Sequence, residues 1–202
     1  MTASTVLVFA KPPQIGLAKT RLARSLDRTS ARRIARFTMS RTLRACRQSL
    51  ATPFLIVTPA NAVRLSLGGL WPEDLFRADQ GRGDLTDRLN RGLQTAPMGK
   101  VLFIGADAPD ITPALINHAL KALDRNEAVF GPASDGGFWL FGLKKGVRTH
   151  SPFSGVRWST EHALADVRAN LNTGARIRYL PQLIDIDTAD DWSDWIRQKR
   201  NA

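Results

Sequence analysis

Three cations follow the first apolar run of the chain. The run, residues 6–10, is followed by a segment that contains Lys11, Lys19, Arg21 and a single glycine, Gly16. A loop of this kind can turn backbone amides and cations toward an anion, and the N-terminus of the next helix adds its dipole. The spacing differs from the GxxxxGKS/T phosphate loop and from the GxGxxG dinucleotide motif. The segment therefore predicts a phosphate-binding or pyrophosphate-binding loop of another kind.

Two aspartates follow a later apolar run, residues 101–105. Ligands of a parallel sheet bind beyond the carboxyl ends of its strands, and Asp107 and Asp110 come at such a position. Magnesium ions usually take one or two carboxylates together with substrate phosphates. Asp107 is therefore predicted to bind a divalent cation. The alternative is structural, with Asp110 capping the following helix and Asp107 capping a turn.

A second acidic segment lies near the C-terminus. Asp185 and Asp187 alternate in sequence, which places both on one face if the segment is a strand. They are candidates to complete a metal site opposite Asp107. Asp190 and Asp191 fit the first turn of a final helix, where the helix dipole favours negative charge, and they are interpreted as structural.

Asp135, Gly136 and Gly137 separate two β-rich runs. Asp-Gly-Gly between strands is typical of a hairpin turn, in which the aspartate accepts backbone amides. Two glycines at the start of a strand also let a ligand approach the backbone closely. The residues alone leave both interpretations open.

The net charge is the unusual part of the composition. The 202 residues are 43% hydrophobic and 23% charged, and the formal net charge of +11 implies an anionic partner. Residues 19–47 hold ten basic residues and one acid, Asp27, and are interpreted as the solvated face of an amphipathic helix. Nucleic-acid or membrane contact is the less favoured alternative. RNA-binding proteins combine basic charge with stacking aromatics, and the five tryptophans are expected to lie away from this helix.

Cysteine and histidine usage excludes several kinds of site. Cys46 is the only cysteine, which excludes an intramolecular disulfide and a cysteine zinc site, and the three histidines lack metal-ligand spacing. The first apolar run is too short for a signal peptide. No segment approaches the ~20 apolar residues that cross a bilayer. A cytoplasmic protein with one domain over residues 1–202 is expected.

Strands and helices alternate along the chain. β-rich runs bounded by Pro, Gly or Asp predict strands, and amphipathic stretches predict helices. Thr112 before Pro113 marks a helix start, because Thr caps the helix and Pro fits its first turn. The order indicates an α/β fold with a mainly parallel sheet covered on both faces. The predicted strands are 6–10, 54–58, 101–105, 128–131, 138–143 and 177–180, and the predicted helices are 30–50, 85–95, 113–123, 160–171 and one from about 188 past 195.

Five segments resemble, in the same order, a family of small bacterial proteins with the glycosyltransferase-A fold. These are the cofC-like (DUF2064) transferases, also described as radical-SAM/selenodomain-associated transferases. They are similar to 2-phospho-L-lactate guanylyltransferase and, more distantly, to the molybdenum-cofactor nucleotidyltransferases. The resemblance covers nearly the whole chain. The segments are FAKPPQIGLAKTRL (9–22), IGADAPDIT (104–112), GPASDGGFWLFGL (131–143), FSGVRWST (153–160) and DIDTADD (185–191).

This resemblance implies a three-layer α/β/α, Rossmann-like nucleotide-diphospho-sugar transferase fold. It also implies roles for particular residues, with Lys19, Arg21 and Asp107 as the catalytic group. The implied contacts are Lys11, Gly16, Lys19 and Arg21 with the phosphates, Gln80 and Gly81 with the base, Asp107 and Asp187 with Mg²⁺ or Mn²⁺, and Asp135, Gly136, Gly137, Trp158, Ser159 and Thr160 with the acceptor.

Two positions depart from the family pattern. Phe138 and Trp139 stand where the family commonly has two tyrosines, and Thr86 stands where the family often has the last glycine of GDLG. Both positions lie beside the implied substrates, so they bear on specificity more than on the metal site.

Three functions are compatible with these residues. The first is nucleotidyl transfer, in which a phosphorylated small molecule attacks the α-phosphorus of a nucleoside triphosphate and releases pyrophosphate. Such catalysis is mostly positioning and electrostatics and needs no protein nucleophile. The second is glycosyl transfer from a nucleotide sugar, since Asp107 to Asp110 loosely resembles a metal-binding DxD motif with one extra residue. The third is a non-catalytic module that binds RNA or another anion.

Overall fold

The computed structural model describes residues 3–14 and 16–201 and contains seven strands and six α-helices in that part of the chain. A short 3-10 helix covers Ala60–Arg64. The strands are β1 Ser4–Ala10, β2 Thr52–Val57, β3 Phe76–Asp79, β4 Gly99–Gly105, β5 Ala128–Pro132, β6 Phe138–Lys145 and β7 Ile177–Tyr179. The helices are α1 Leu22–Ser25, α2 Arg28–Arg47, α3 Leu85–Thr95, α4 Pro113–Ala122, α5 Ala163–Ala169 and α6 Ala189–Arg200.

All seven strands form one mixed sheet, in the order β3-β2-β1-β4-β6-β5-β7. Strand β6 pairs antiparallel with both of its neighbours, whereas the other pairings are parallel. The carboxyl ends of β1 and β4 therefore lie side by side at one edge, together with the turn that joins β5 to β6. This edge is where an open α/β sheet binds its ligands.

Alternate side chains of β1 enter two separate cores. Val6 and Val8 pack with Met39 and Leu43 of α2 and with residues of α4, whereas Leu7 packs with residues of α3 and α5 on the other face. A strand directs successive side chains to opposite faces of its sheet, so the apolar run of β1 supplies both cores. The predicted three-layer α/β/α arrangement is confirmed.

Helix starts follow from side-chain caps. Asp27, the single acid of the basic segment, accepts hydrogen bonds from the amides of Thr29 (2.8 Å) and Ser30 (2.9 Å) and so fixes the start of α2. Thr112 caps α4 with Pro113 in its first turn, as predicted. Asp84 of α3 and Thr188 of α6 form reciprocal capping boxes.

Some expectations about local structure are wrong. Residues 184–187 form no strand, and the segment has only an isolated bridge between Leu183 and Ala133. Strand β3, helix α1 and the 3-10 helix were not predicted. Strand β3 is an edge strand with two charged residues in four, Arg77 and Asp79, so it lacks the apolar run that marks a buried strand.

The tryptophans do not lie away from the basic helix. The rings of Trp192 and Trp195 contact Phe37 of α2 at 6.1 and 5.4 Å between centroids, and the indole Nε1 of Trp71 lies 2.9 Å from the sulfur of Met39. Helical spacing alone could not show which side chains of α6 would pack on α2. These rings are engaged in packing, so they are not free stacking platforms.

No helix within residues 3–14 and 16–201 is long and apolar enough to cross a membrane.

The buried cysteine provides a test of the packing of α2. Cys46 is fully buried, and burial raises the pKa of its thiol to about 12 because the thiolate loses its hydration. We expect no reaction of Cys46 with a thiol-specific disulfide reagent at pH 8 in the folded protein, and complete reaction after denaturation. A Leu50→Cys variant is the control, since Leu50 is 80% exposed and a thiol there should react at once. Labelling of Cys46 in the native wild-type protein as fast as in the denatured one would contradict this packing.

Candidate active site

An ammonium group lies between two carboxylates at the carboxyl edge of the sheet. Lys19 Nζ is 2.5 Å from Oδ1 of Asp107 and 2.8 Å from Oδ1 of Asp187. The lysine side chain is 5% exposed, whereas the two aspartates are 46% and 44% exposed. The carboxylates thus face an open space and are neutralised from the buried side. This arrangement brings together three residues that were predicted to belong to one site.

Three distant segments supply these side chains. Lys19 lies in the loop between β1 and α1, Asp107 lies just after β4, and Asp187 lies just before α6. A backbone hydrogen bond of 3.1 Å from the amide of Ile186 to the carbonyl of Asp107 joins the last two segments. Ile186 is itself fully buried, which anchors its neighbour Asp187.

The charges of this group shift its proton affinities. Burial lowers the pKa of Lys19, but the two aspartates more than offset this effect, and the net pKa is raised. Burial raises the pKa of Asp187, but Lys19 and Arg21 outweigh it, and the net pKa lies below its ordinary value. Lys19 and Asp187 are therefore both in their charged forms at neutral pH.

A cavity of about 390 Å³ opens beside Lys19. Its lining includes most residues expected to meet a nucleotide and its metal ion. They are Lys11, Lys19, Arg21, Gln80, Asp107 and Asp187. Two further members, Leu17 and Thr20, come from the same loop. The cationic loop and the aspartates thus face one space.

Two predicted nucleotide contacts lie outside this lining, and a third has a structural role. Gly16 and Gly81 do not line the cavity. Gly81 has a φ of +79°, and a side chain there would overlap Arg91, so the glycine allows a tight turn. Gln80 is 5% exposed and donates from Nε2 to the carbonyls of Ala10 (3.2 Å) and Ile56 (2.9 Å). Its amide therefore ties the ends of the strands together, and its expected contact with a base stays a prediction.

A second cavity, of about 260 Å³, adjoins the first. Both cavities have Phe9, Arg21, Leu85 and Asp187 in their linings. The second cavity also has Asp185 and the rings of Phe103 and Phe138 in its lining. Its walls are therefore aromatic, and its polar groups are mainly carboxylates and hydroxyls. The lining contains five of the six residues expected to meet an acceptor, namely Asp135, Gly137, Trp158, Ser159 and Thr160.

Gly136 is the one predicted acceptor contact outside this lining. It has a φ of +85°, and a side chain there would meet the backbone of Glu161. Asp135 Oδ1 accepts a hydrogen bond of 2.8 Å from the amide of Gly137. The Asp-Gly-Gly segment is thus a turn between β5 and β6, and it also places Asp135 in the second cavity. The two interpretations of the sequence are compatible.

Backbone strain occurs in both cavities. Among the described residues, Lys19 (φ +54°) and Ser159 (φ +61°) are the non-glycine residues with positive φ. Such a conformation costs of the order of 1–3 kcal/mol and is common at ligand-binding sites. Lys19 lines the first cavity and Ser159 lines the second. The surrounding structure therefore holds one strained residue at each.

Asp185 is a site residue that the sequence did not distinguish from Asp187. Its Oδ1 is buried without a hydrogen-bond partner among the described residues. Burial, together with the charges of Asp135 and Asp187, raises the pKa of Asp185 to about 7. Arg88 was also missed. It lines the first cavity from α3, four positions after the cap Asp84, so helical spacing was the available signal.

Asp110 neither caps a helix nor faces the cavities. Its Oδ2 accepts a hydrogen bond of 3.0 Å from Nε1 of Trp195, and its Oδ1 lies 2.9 Å from Nζ of Lys199. Thr112 is the residue that caps α4. Asp110 therefore fastens α6 to the loop that carries Asp107.

The sequence matches a protein family over more than half of its length. The matching family is described as "Uncharacterized protein conserved in bacteria (DUF2064)", and the match covers residues 42–160. These residues include Asp107 and the acceptor-side segments, whereas Lys19, Arg21 and Asp187 lie outside the match. No curated protein sequence matches the chain.

Solved structures share the fold over nearly the whole chain. A candidate nucleotide-diphospho-sugar transferase from Desulfovibrio desulfuricans G20 is 26% identical, covers 100% of this chain and 90% of its own, and superposes with a TM-score of 0.82. Rv0371c from Mycobacterium tuberculosis H37Rv, in complex with manganese, is 19% identical over 98% of this chain and 99% of its own, with a TM-score of 0.54. The 2-C-methyl-D-erythritol 4-phosphate cytidylyltransferase from Thermus thermophilus is 16% identical over 98% and 99%, with a TM-score of 0.57.

These comparisons confirm the nucleotide-diphospho-sugar transferase fold that the resemblance implied. They also confirm the expectation that the chain is an enzyme of the transferase class.

The raised pKa of Asp185 predicts a pH-dependent cost. Folding raises this pKa from 3.8 to about 7, so the folded state binds the proton more tightly than the unfolded chain does. Wild-type stability should therefore fall, relative to Asp185→Asn, as the pH rises from about 4 to about 7. The difference should be constant above and below that window. Melting temperatures of both proteins, measured in EDTA across that window and on both sides of it, check this, and a pH-independent difference would contradict it.

Loss of the Asp110 contact should loosen α6. Asp110→Ala leaves the indole nitrogen of Trp195 and the ammonium of Lys199 without their acceptor, and we expect destabilisation by about 1–3 kcal/mol. The control is Asp194→Ala, which removes an exposed pair with Arg197 on the same helix and should cost no more than ~0.5 kcal/mol. Urea denaturation of the three proteins gives the comparison. Equal effects of the two substitutions would show that Asp110 does not anchor the helix.

Proposed function

This chain belongs to the DUF2064 family of bacterial proteins, and on that premise we propose that it catalyses divalent-metal-dependent nucleotidyl transfer. The donor is a nucleoside triphosphate, and the acceptor is a phosphorylated small molecule. The observation that carries the proposal is the pair of adjoining cavities, with cations of one loop in the first and Asp187 and Arg21 in the wall between them.

The first cavity suits a triphosphate. Lys11, Lys19, Arg21 and Arg88 are its cations, and Asp107 and Asp187 are its acids. The fixed cations of such a site stabilise the charge that develops on the phosphate oxygens during transfer. Lys11 and Arg21 are exposed residues of the loop, so an incoming phosphate can reach them without a rearrangement of the core.

The donor set also fits a hard divalent cation. Magnesium sites on enzymes that bind phosphates commonly use one or two carboxylates of the protein, and Asp107 and Asp187 provide two. The unpartnered Oδ1 of Asp185 is a further oxygen in the wall of the adjoining cavity. A bound Mg²⁺ or Mn²⁺ would neutralise charge on the donor phosphates. The manganese complex of Rv0371c supports a metal of this kind, although that protein is only 19% identical.

Arg21 is placed to act on both substrates. It belongs to the linings of both cavities and is, among the described residues, the only cation in the lining of the second. A phosphate of the acceptor would therefore lie against Arg21, and the apolar part of the molecule would lie against the rings of Phe103, Phe138 and Trp158. An acceptor oxygen then attacks the α-phosphorus, the bond from that phosphorus to the bridging oxygen breaks, and pyrophosphate leaves from the first cavity.

Glycosyl transfer from a nucleotide sugar is the second candidate. The description of the Desulfovibrio desulfuricans protein favours it, because that protein is named as a candidate nucleotide-diphospho-sugar transferase. The engagement of Asp110 by Trp195 and Lys199 weighs against it, since the second aspartate of a DxD-like motif is then used to hold α6.

Ligand-induced stabilisation tests the proposal. We expect one nucleoside triphosphate, with Mg²⁺ or Mn²⁺, to raise the melting temperature, because a ligand at 100 times its Kd adds about 2.7 kcal/mol of stability. Asp107→Ala should abolish the metal-dependent part of the shift, whereas Asp194→Ala, an equal change on the exposed face of α6, should retain it.

Two outcomes would decide against nucleotidyl transfer. A shift with nucleotide sugars but with no triphosphate would support glycosyl transfer instead. A triphosphate shift of the same size in Asp107→Ala and in the wild type would remove Asp107 from the metal site.

A further inference from the structure

A basic groove lies at the edge of the sheet opposite the candidate active site. Two cavities, of about 260 and 640 Å³, share Lys144, Arg148 and Thr149 in their linings and so form one groove. The groove is built where β4 and β5 begin and where β6 ends. Strand β4 runs from this groove to the active-site edge, and its seven residues span roughly 20 Å.

The groove concentrates positive charge. Its lining contains six lysine and arginine side chains and two acids, Asp124 and Glu127. Asp124 pairs with Lys100 at 2.5 Å. Among the described residues, none of the three arginines forms a salt bridge. The six cations are Lys100, Arg125, Lys144, Lys145, Arg148 and Arg176.

The walls of the groove are held by hydrogen bonds. Asn170 donates from Nδ2 to the carbonyls of Pro152 (3.0 Å) and Ser154 (2.6 Å), which fixes the segment after β6 against the end of α5. On the other wall, Lys144 Nζ donates to the carbonyl of Asp124 at 3.0 Å. The backbone that carries the cations is therefore organised around the groove.

We propose that this groove binds a compact polyanion with a diphosphate or triphosphate group. Like charges that face one another destabilise a fold, and a bound polyanion removes that repulsion. Of the residues that the structure describes, no phenylalanine, tyrosine or tryptophan lines either cavity, whereas proteins that bind single-stranded nucleic acid stack bases on such rings. The chemistry therefore matches phosphate groups rather than bases, whether the group is free polyphosphate or part of a nucleotide.

Hydrogen exchange with a defined ligand locates the site. The wild-type protein is exchanged with and without inorganic tripolyphosphate, in EDTA so that no metal-dependent turnover occurs. We expect slower exchange of amides in residues 144–150 and 170–176. The Arg148→Ala/Arg176→Ala protein should lose this protection and bind tripolyphosphate at least tenfold more weakly at that site, with protection of residues 16–21 unchanged.

Two controls separate a built site from general electrostatics. Arg32→Ala/Arg33→Ala removes the same charge from the exposed face of α2 and should leave protection of the groove intact. Arg148→Lys/Arg176→Lys keeps the charge and should retain most of the binding. Equal loss of groove protection in the α2 variant would overturn the proposal, as would no protection of residues 144–150 and 170–176 in the wild type.

The source of the ligand is resolved by parallel samples. Equal protection by tripolyphosphate and by a nucleoside triphosphate, or protection by tripolyphosphate alone, supports the proposal and identifies the phosphate chain as the determinant. Protection only by a nucleoside triphosphate, or only by a single-stranded oligonucleotide, would overturn it, because bases would then be required.

Discussion

The contact of Lys19 with Asp107 and Asp187 is the interaction on which the rest of the candidate site depends. It joins the loop after β1, the end of β4 and the segment before α6, which are far apart in the sequence. A buried ammonium without its carboxylates is strongly unfavourable, so the three segments must meet for Lys19 to occupy this position. The exposed sides of both aspartates then remain directed to the cavity. The same contact therefore supports the loop conformation, including the positive φ of Lys19, and leaves carboxylate oxygens accessible to a ligand.

The two cavities at this edge differ in chemistry although they share a wall. Counting the described residues, the first has four cations against two acids, whereas the second has one cation, Arg21, against three carboxylates and several aromatic rings. The rings of the second belong to the core on the α3 and α5 face of the sheet, in which Phe103 contacts Phe141 and Phe153. An acceptor would thus meet side chains whose positions are set by core packing. Phe138, at a position where the family commonly has a hydroxyl, makes this wall more apolar.

Much of the fold and the central residues of the site followed from the sequence, for identifiable reasons. The apolar run of β1, the Thr112-Pro113 helix start and the residues 85–95 all carry local signals that the structure confirms. The roles of Asp110 and Gln80 did not follow, because each depends on contacts with residues distant in sequence, Trp195 and Ala10 among them. The hydrophobic alternation of residues 184–187 was misread as a strand, since Ile186 is buried in a small core with Leu22 and Ile34 rather than in the sheet. The single-domain organisation stays a prediction.

The arginines of α2 show that a solvated basic face can also serve the site. Arg41 donates from Nε to the carbonyl of Pro109 at 2.6 Å and lies over the ring of Phe37. Pro109 lies between Asp107 and Asp110, so this bond holds the loop from the α2 side while Trp195 and Lys199 hold it from α6. Phe37 in turn packs against Trp195. The position of Asp107 is therefore determined by two helices that contact each other, and part of the large positive charge of the chain supports the loop that carries Asp107.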